Sequence, residues 1–316
     1  MRSGAAAGTE GYFHETAFYG SDEELLAIVV PFLRDGVAAG EPTLVTFAER
    51  NAALVRSALG DTTGVEFVTG ELQYAKAASA IRSYRELLAE HTARGVGQIR
   101  VVGDVPHPGF GVPWDAWARY EAAVNHAYDD FPIWGMCPYD TRTTPPDVLA
   151  DVTRTHPRIA TADGGHHMNP EFGDPVGFLE SKLITAVRPE SGPPALDLAG
   201  PAPALARAAV RDVASATLRD PDDLDDLVLA ASEAVTNAIS HGKPPVRLRV
   251  WTDGGRVVVA VTDAGPGPSD PYAGLLPALD SETGGLGLWM AHQICSDVTF
   301  HRDTDGFTIR LVVAAS

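Results

Sequence analysis

Two polar residues that could act on one ligand, Glu233 and Asn237, lie four apart in LAASEAVTNAISHG at residues 229–242. Apolar residues around them recur at the period of a helix, and this stripe is predicted to face a core. The stripe consists of Leu224, Leu227, Val228, Ala231, Ala234, Val235, Ala238 and Ile239. Residues four apart share a helix face, so the carboxylate and the amide are expected together on the opposite face. A solvated polar face is the plain alternative.

Two glycine-rich clusters follow the predicted helix, and each could hold part of a nucleotide. In DAGPG, Asp263 ends the apolar run RVVVAVT, a predicted buried strand, and Gly265 and Gly267 let the backbone turn tightly and approach a flat ring. The Asp263 carboxylate can accept a hydrogen bond from an exocyclic amine. The second cluster opens the apolar segment LGLWMAHQIC, and free amides at a helix start bind anions such as phosphate. It comprises Thr283, Gly284, Gly285, Leu286, Gly287 and Leu288.

This ordered set of motifs resembles the N, G1 and G2 boxes of the GHKL ATPase superfamily. The resemblance covers residues 196–316 and implies an α/β sandwich of the Bergerat type that binds ATP with Mg²⁺. It implies Glu233 as the general base, Asn237 as the Mg²⁺ ligand and Asp263 as the residue that recognises adenine. The glycines of both clusters would shape the pocket. Thr308 lies where relatives place a threonine that contacts phosphate.

Within that superfamily, ExxxNAxxHG and GGLGLxxxxxxxD are most similar to the anti-sigma-factor serine/threonine kinases of bacterial partner-switching systems. This resemblance implies a protein kinase whose partners are a sigma factor and a STAS-type anti-anti-sigma protein, and it suggests a homodimer. Two alternatives stay open. An ATP-binding clamp without kinase activity would use the same Asn237 and Asp263. A sensor histidine kinase would need a phosphoacceptor histidine on a preceding helical hairpin, and the predicted helix at residues 204–218 contains no histidine.

The elements that must position these motifs divide between two predicted domains. A sensory domain is expected over residues 11–187, a linker rich in Pro and Gly over 188–203, and the ATP-binding domain over 196–316. In the first domain strands and helices alternate, which predicts a mostly parallel sheet with helices on both faces. The strands are predicted at residues 43–47, 65–68, 99–103 and 133–137, and the helices at 21–40, 51–59, 74–94, 114–130 and 174–187. Residues 1–11 are expected to form a frayed tail.

The first domain carries polar residues where a ligand could bind, but no phosphate-binding loop GxxxxGK[ST]. The strand IRVVGD, which ends at Asp104, is better explained by packing and capping. Polar residues gather at the element ends: His14, Tyr19, Glu41, Asp104, His107, Cys137, Tyr139 and Asp140. Together with residues 32–41, CPYD at 137–140 and the pair His156 and Pro157, they resemble the MEDS sensory domain. The resemblance implies a recombinase-like core whose nucleotide machinery has degenerated and which senses a small molecule.

The histidines of the first domain raise the question of a metal site. The candidates are His14, His107, His126, His156, His166 and His167, yet no HxxxH or HExxH spacing occurs among them. We therefore expect surface or capping histidines. The two cysteines, Cys137 and Cys295, are far apart and in no CxxC, which favours buried thiols over a disulfide or a zinc site.

The charge and the apolar runs exclude several classes of function. The chain has 24 basic and 42 acidic side chains, a net charge of −18, and its only lysines are Lys76, Lys182 and Lys243. Without a basic stripe, neither nucleic acid nor an anionic membrane is expected as a direct partner. The longest apolar run, at residues 25–33, is too short to span a bilayer, and no signal peptide is visible. A cytoplasmic protein is expected.

Overall fold

The computed structural model describes residues 1–68, 76–184, 190, 192–277, 286–304 and 306–315. The chain divides into two compact units, Met1–Leu179 and Glu180–Ser316. Within the described ranges, every helix is too short or too polar to cross a bilayer.

The first unit is built on one sheet. Its described residues form seven strands in the spatial order β3-β2-β4-β5-β1-β6-β7, and each neighbouring pair is parallel except β6 with β7. The strands are β1 (Phe13–Tyr19), β2 (Thr43–Thr46), β3 (Val65–Phe67), β4 (Ile99–Gly103), β5 (Ile133–Asp140), β6 (Arg158–Ala160) and β7 (His166–Met168). The helices are α1 (Asp22–Ala38), α2 (Glu49–Leu59), α3 (Ala77–Ala93), α4 (Asp115–Ala127) and α5 (Pro146–Thr155). The predicted mostly parallel fold is confirmed.

Helices cover both faces of this sheet. Phe13 of β1 and Trp134 of β5 pack with side chains of α1 and α2 in one apolar core. Successive strand residues point to opposite faces, so His14 lies on the other face, where it contacts Asn125 of α4. A parallel sheet is normally covered in this way on both sides.

Strand β1, which lies inside the sheet between β5 and β6, was not predicted from the sequence. Its sequence FHETAFY contains three polar residues, His14, Glu15 and Thr16, and all three are buried. Glu15 accepts a hydrogen bond of 2.6 Å from Trp134 Nε1, and its second oxygen lies 2.9 Å from His166 Nδ1. Because buried parallel strands usually appear as apolar runs, these internally paired polar groups concealed the strand.

The first residues are not the frayed tail that their composition predicts. Ala6 is fully buried, and Ser3 Oγ accepts a hydrogen bond of 2.8 Å from Arg100. Arg100 also donates to Glu41 at 2.7 Å, and both partners of this ion pair are buried. The tail is ordered because it binds this pair, whose arginine is 97 residues away from Ser3 in the sequence.

The second unit combines an antiparallel sheet with helices, as the GHKL resemblance implies. Its described strands have the order β11-β12-β10-β9-β8, and every neighbouring pair is antiparallel. The strands are β8 (Leu196–Ala199), β9 (Arg247–Asp253), β10 (Arg256–Asp263), β11 (Asp297–Asp303) and β12 (Gly306–Ala314). The helices are α7 (Pro203–Ala214), α8 (Pro221–Ser240) and α9 (Leu286–Ile294), and α6 (Pro175–Leu183) contains the division between the units.

The apolar stripe of α8 forms the core of this unit with alternate residues of the sheet. Ala231 and Val235 belong to the same buried cluster as Val259 and Val261 of β10. Most of the predicted stripe is buried as expected, but Ile239 is 52% exposed because it lies in the last turn of the helix.

Candidate functional site

Helix α8 sets the positions of Glu233 and Asn237. The helix begins after Asp220, whose side chain accepts a hydrogen bond of 2.8 Å from the backbone N–H of Asp222. Glu233 and Asn237 are both half-buried, whereas Ala234 and Val235, which lie between them in the sequence, are buried. Among the described residues, no hydrogen bond engages either of these two side chains.

Asp263 ends β10 on the same sheet face as Val261, toward the α8 core. Its side chain is buried, with 6% exposure. Oδ1 accepts hydrogen bonds from the backbone N–H of Gly265 at 2.6 Å and of Lys243 at 3.1 Å. These bonds fix the carboxylate through one oxygen, so Oδ2 is the atom that can accept a hydrogen bond from a ligand.

Glycines surround Asp263 because no side chain would fit beside it. A Cβ on Gly242 would lie 2.4 Å from Asp263 Cγ, and a Cβ on Gly265 would lie 2.6 Å from Asp263 Oδ1. Gly267 has a φ of +78°, and its Cβ would lie 2.4 Å from the Phe307 ring. The motif thus needs glycine at Gly265 and Gly267 for close packing within the protein. Gly242 is needed for the same reason, although it was not predicted as a site residue.

The third motif meets Glu233 at the start of α9. A Cβ on Gly287 would lie 2.6 Å from Glu233 Oε2, which places the carboxylate against the first turn of that helix. Leu286 is half exposed, and Leu288 packs against the core. The first backbone amides of a helix have no intrahelical partner and can bind an anion. The predicted site residues Thr283, Gly284 and Gly285 lie outside the described residues.

Thr308 does not lie with these groups. It pairs with Thr262 across β10 and β12, and the two hydroxyl oxygens are 2.8 Å apart. Asp263 pairs instead with Phe307. Because successive strand residues point to opposite faces, the Thr308 hydroxyl is on the sheet face away from Asp263 and α8. The structure therefore does not bring Thr308 to the site. The resemblance matched a single threonine, and one residue does not show which face of the strand its side chain occupies.

A cleft of about 380 Å³ opens beside the DAGPG turn. Lys243 and Arg302 line it, and the Arg302 guanidinium donates a hydrogen bond to the backbone oxygen of Pro266. Neither Glu233 nor Asn237 is among its lining residues. The cleft therefore includes the predicted site residue Gly265 but not the two polar residues of α8.

In the first unit, some of the polar residues predicted at element ends lie at the edges of the sheet, whereas His14 and Cys137 lie within β1 and β5. Tyr19 and Asp104 meet at the carboxyl edge through Asn51, whose Nδ2 lies 3.0 Å from Asp104 Oδ1 and 3.3 Å from the Tyr19 hydroxyl. Asp140 ends β5 at the same edge, and burial raises the pKa of Asp104 to about 6. Glu41 precedes β2 at the opposite edge. Asp104 thus has the packing role that was predicted, and its partner Asn51 was missed.

Two histidines are not the surface or capping residues that were expected. His14 and His156 are 1% and 0% exposed, and their ring centroids lie 4.1 Å apart. Glu121 of α4 and Cys137 of β5 complete a cluster with them. Glu121 was missed from the sequence. It precedes Asn125 by four residues on a largely apolar helix, which is the ExxxN spacing also found in α8, and that spacing is the signal that could have found it.

Family comparison assigns both units. The family described as MEDS, "MEthanogen/methylotroph, DcmR Sensory domain", matches residues 13–157, and the histidine kinase-like ATPase domain matches residues 200–313. The chain is a MEDS domain fused to a GHKL-type ATPase domain. Both resemblances drawn from the motifs are confirmed.

Individual proteins are less similar to the chain. No curated protein matches it. Among solved structures, the histidine kinase domain from the Erythrobacter litoralis EL346 blue-light activated histidine kinase is similar at 14% identity, over 77% of this chain and 89% of that chain, with a TM-score of 0.24. The assignment therefore depends on the two family matches and on the sites themselves.

The groups of the ATPase domain fit an adenine nucleotide with Mg²⁺. The Asp263 carboxylate is oriented through one oxygen and can accept from an amine through the other. Asn237 offers an amide oxygen, one of the oxygen ligands that Mg²⁺ prefers, and the first turn of α9 offers amides to phosphate. ATP binding is what the match to the histidine kinase-like ATPase domain implies for this chain.

Proposed function

We propose that the chain is an ATP-dependent serine/threonine protein kinase and anti-sigma factor, with the MEDS domain as its sensor. Its substrate is a serine of a STAS-type anti-anti-sigma protein, and its second partner is a sigma factor. The ExxxNAxxHG motif and the arrangement of α8 and α9 support this proposal.

The contact between Glu233 and Gly287 is the observation on which the proposal mainly rests. It puts a carboxylate beside the first turn of α9, where backbone amides can bind phosphate oxygens. Transfer of a phosphoryl group to a hydroxyl needs a proton acceptor and an anion-binding group at the same place. Asn237, on the same face of α8, supplies a ligand for the cation beside that base.

In this mechanism each residue has one role. When bound, Mg-ATP supplies the phosphoryl group. Asn237 would hold the cation through its amide oxygen, and the Asp263 carboxylate would select adenine by accepting a hydrogen bond from the exocyclic amine of the base. Glu233 accepts the proton of the incoming serine hydroxyl. Catalysis is mainly positioning and electrostatic stabilisation by groups that are already in place.

The helices before the base favour a hydroxyl acceptor over a histidine acceptor. A histidine kinase of the usual type transfers phosphate first to a histidine on a helix that precedes its ATPase domain. Helix α6, which directly precedes the matched ATPase domain at residues 200–313, has the sequence PVGFLESKL, and this sequence contains no histidine.

The test identifies the phosphorylated residue by whether its bond to phosphate survives treatment with acid or with base. The full chain is purified from its native cells with its retained partners, which are identified by mass. The purified chain and each partner are then incubated with ATP labelled at the γ-phosphate, and the labelled protein is treated with acid or with base. Phosphoserine survives acid, whereas phosphohistidine does not.

We expect an acid-stable label on a STAS-type partner and none on the sigma factor. An acid-labile label on any protein would make the chain a histidine kinase. If the chain binds ATP and a sigma factor but labels no partner, it is a clamp without kinase activity.

A further inference from the structure

Four side chains that could bind a metal converge inside the MEDS domain. His14 comes from β1, Glu121 from α4, Cys137 from β5, and His156 follows α5. One nitrogen, oxygen or sulfur atom from each lies within 4.8 Å of the others. His14, Glu121 and His156 are almost completely shielded from solvent, at 1%, 0% and 0% exposure.

Two of these atoms have no hydrogen-bond partner among the described residues. They are Glu121 Oε2 and His156 Nε2, both buried, and they lie 3.5 Å apart. A buried polar atom without a partner costs about 1–3 kcal/mol, more when it is charged. The arrangement is therefore incomplete unless a further group occupies the space between these atoms.

Hydrogen bonds from the surrounding residues aim the ligand atoms toward one point. His156 Nδ1 lies 2.8 Å from the backbone oxygen of Val152, which can only accept, so this nitrogen carries the proton and Nε2 keeps a lone pair. His14 Nδ1 lies 3.0 Å from Asn125 Oδ1, which has the same consequence for His14. Metal-binding histidines are usually oriented in this way by a partner on the other ring nitrogen.

The orientation of Asn125 is itself fixed. Its Nδ2 donates to the backbone oxygens of Glu121 at 3.0 Å and of Thr155 at 2.9 Å, so Oδ1 must face His14. The Tyr139 hydroxyl donates to Glu121 Oε1, which leaves Oε2 as the free atom of that carboxylate. The hydrogen bonds to residues outside the cluster thus use the other polar atoms of these three side chains and leave the converging atoms facing one another.

Three of the six distances between the converging atoms are close to the edges of a coordination tetrahedron, and all six are within 4.8 Å. Glu121 Oε2 lies 3.5 Å from His156 Nε2 and 3.7 Å from His14 Nε2, and Cys137 Sγ lies 3.8 Å from His14 Nε2. Bonds of about 2.0–2.3 Å from a central Zn²⁺ would separate tetrahedral ligands by roughly 3.3–3.8 Å.

We propose that His14, Glu121, Cys137 and His156 form a closed, four-coordinate site for a divalent transition metal, with Zn²⁺ as the preferred ion. Two imidazole nitrogens, a thiolate and a carboxylate suit Zn²⁺ and its neighbours, whereas Mg²⁺ and Ca²⁺ prefer oxygen ligands alone. Because the ligands come from four elements, the ion would join β1 and β5 of the sheet to α4 and α5.

The charges of the ligands agree with this proposal. One carboxylate and one thiolate together neutralise a divalent cation, so the buried site carries no net charge when the ion is bound. The alternative to a metal site is a cluster whose four side chains are all neutral.

Cobalt provides a direct test on the full chain. The protein is treated with a chelator, dialysed, and titrated with Co²⁺ in the absence of nucleotide. Bound Co²⁺ in a tetrahedral site with a thiolate gives visible ligand-field bands and a thiolate-to-cobalt charge-transfer band in the near ultraviolet. We expect both sets of bands, saturation at a stoichiometric amount of Co²⁺, and loss of both on addition of Zn²⁺, which binds more tightly.

Variants locate the site. Cys137→Ala should abolish the charge-transfer band, and Cys295→Ala, which removes the other cysteine of the chain, should keep it. Asn125→Ala removes a positioning residue and should weaken Co²⁺ binding by about 10- to 100-fold without removing the thiolate band at saturation. If the wild-type protein takes up no Co²⁺, or if Cys137→Ala keeps the charge-transfer band, the proposal is wrong and the cluster is a neutral one.

Discussion

The MEDS domain and the ATPase domain hold their polar groups in opposite ways. In the MEDS domain, His14 and Cys137 are 123 residues apart in sequence and meet in a shielded cluster. In the ATPase domain, Glu233 and Asn237 lie on one helix and are half-buried, and Asp263 follows on a nearby strand. Three of the four side chains of the first arrangement are shielded from water and Cys137 is partly exposed, whereas both polar side chains of α8 are only half-buried.

The difference in burial determines what each arrangement can bind. A shielded polar cluster must be satisfied by its own members or by a resident ion, because water does not reach it. A half-buried site can stay hydrated until a ligand arrives, so it suits a nucleotide that binds and leaves. The same ExxxN spacing occurs in both domains, in α4 and in α8, so burial rather than motif separates the two roles.

The largest expected effect concerns the base of the ATPase domain. Glu233→Gln keeps the size of the side chain but removes the proton acceptor, so we expect phosphoryl transfer to slow by roughly 10²–10⁴-fold. Nucleotide affinity should change little because Asn237 and Asp263 are retained. Single-turnover transfer of labelled phosphate, with calorimetry of ATP binding, measures both quantities.

The matched control is Asp225→Asn, which removes an exposed acid from the same helix and breaks only a surface ion pair with Arg211. It should transfer phosphate at the wild-type rate. Asn237→Ala is the complementary variant and should lose ATP binding and transfer together. Full transfer by Glu233→Gln would show that another group takes the proton.

The second prediction compares ion pairs in the two domains. Arg100→Met leaves Glu41 charged and buried, so it should destabilise the MEDS domain by about 3–5 kcal/mol. Arg247→Met breaks the exposed pair with Asp197 in the ATPase domain and should cost at most about 1 kcal/mol. Hydrogen exchange followed by mass spectrometry on the full chain reports the unfolding free energy of each domain. Equal losses of protection in both variants would contradict the contrast between the domains.

The ATPase domain could be predicted from its sequence in more detail than the MEDS domain. The stripe of α8 and the motifs around Glu233 and Asp263 are local patterns, and they locate the helix, the strand and the turn. Ile239 is the exception, because a stripe does not say where the buried part of a helix ends.

In the MEDS domain the informative contacts are long-range. Strand β1 was missed because His14 and Glu15 are polar, and their partners lie on α4 and β5. The ExxxN spacing could have singled out Glu121, but its role in the cluster depends on the residues that lie opposite it in the fold. Physical complementarity between distant elements, which a pattern along the chain does not contain, decides these positions.

The third prediction tests the orientation of Asp263. Asp263→Asn replaces a charged acceptor in a buried position, so ATP affinity should fall by about 1.5–3 kcal/mol, or roughly 10- to 150-fold. GTP should compete poorly with ATP in the wild type, because its O6 offers an acceptor where the carboxylate needs a donor. Calorimetry with both nucleotides measures this, and equal affinity for GTP and ATP would contradict the assignment of Asp263 to adenine.

The smallest expected effect concerns Thr308, for which the sequence resemblance and the structure predict different contacts. The resemblance implies a phosphate contact, whereas the structure pairs the Thr308 hydroxyl with Thr262 on the sheet face away from Asp263. Thr308→Val keeps the shape of the side chain and removes one hydrogen bond. We expect a loss of stability of about 1 kcal/mol and no change in ATP affinity beyond about twofold. A tenfold weaker affinity in a folded variant would mean that Thr308 reaches the nucleotide, and that β12 must shift its register when ATP binds.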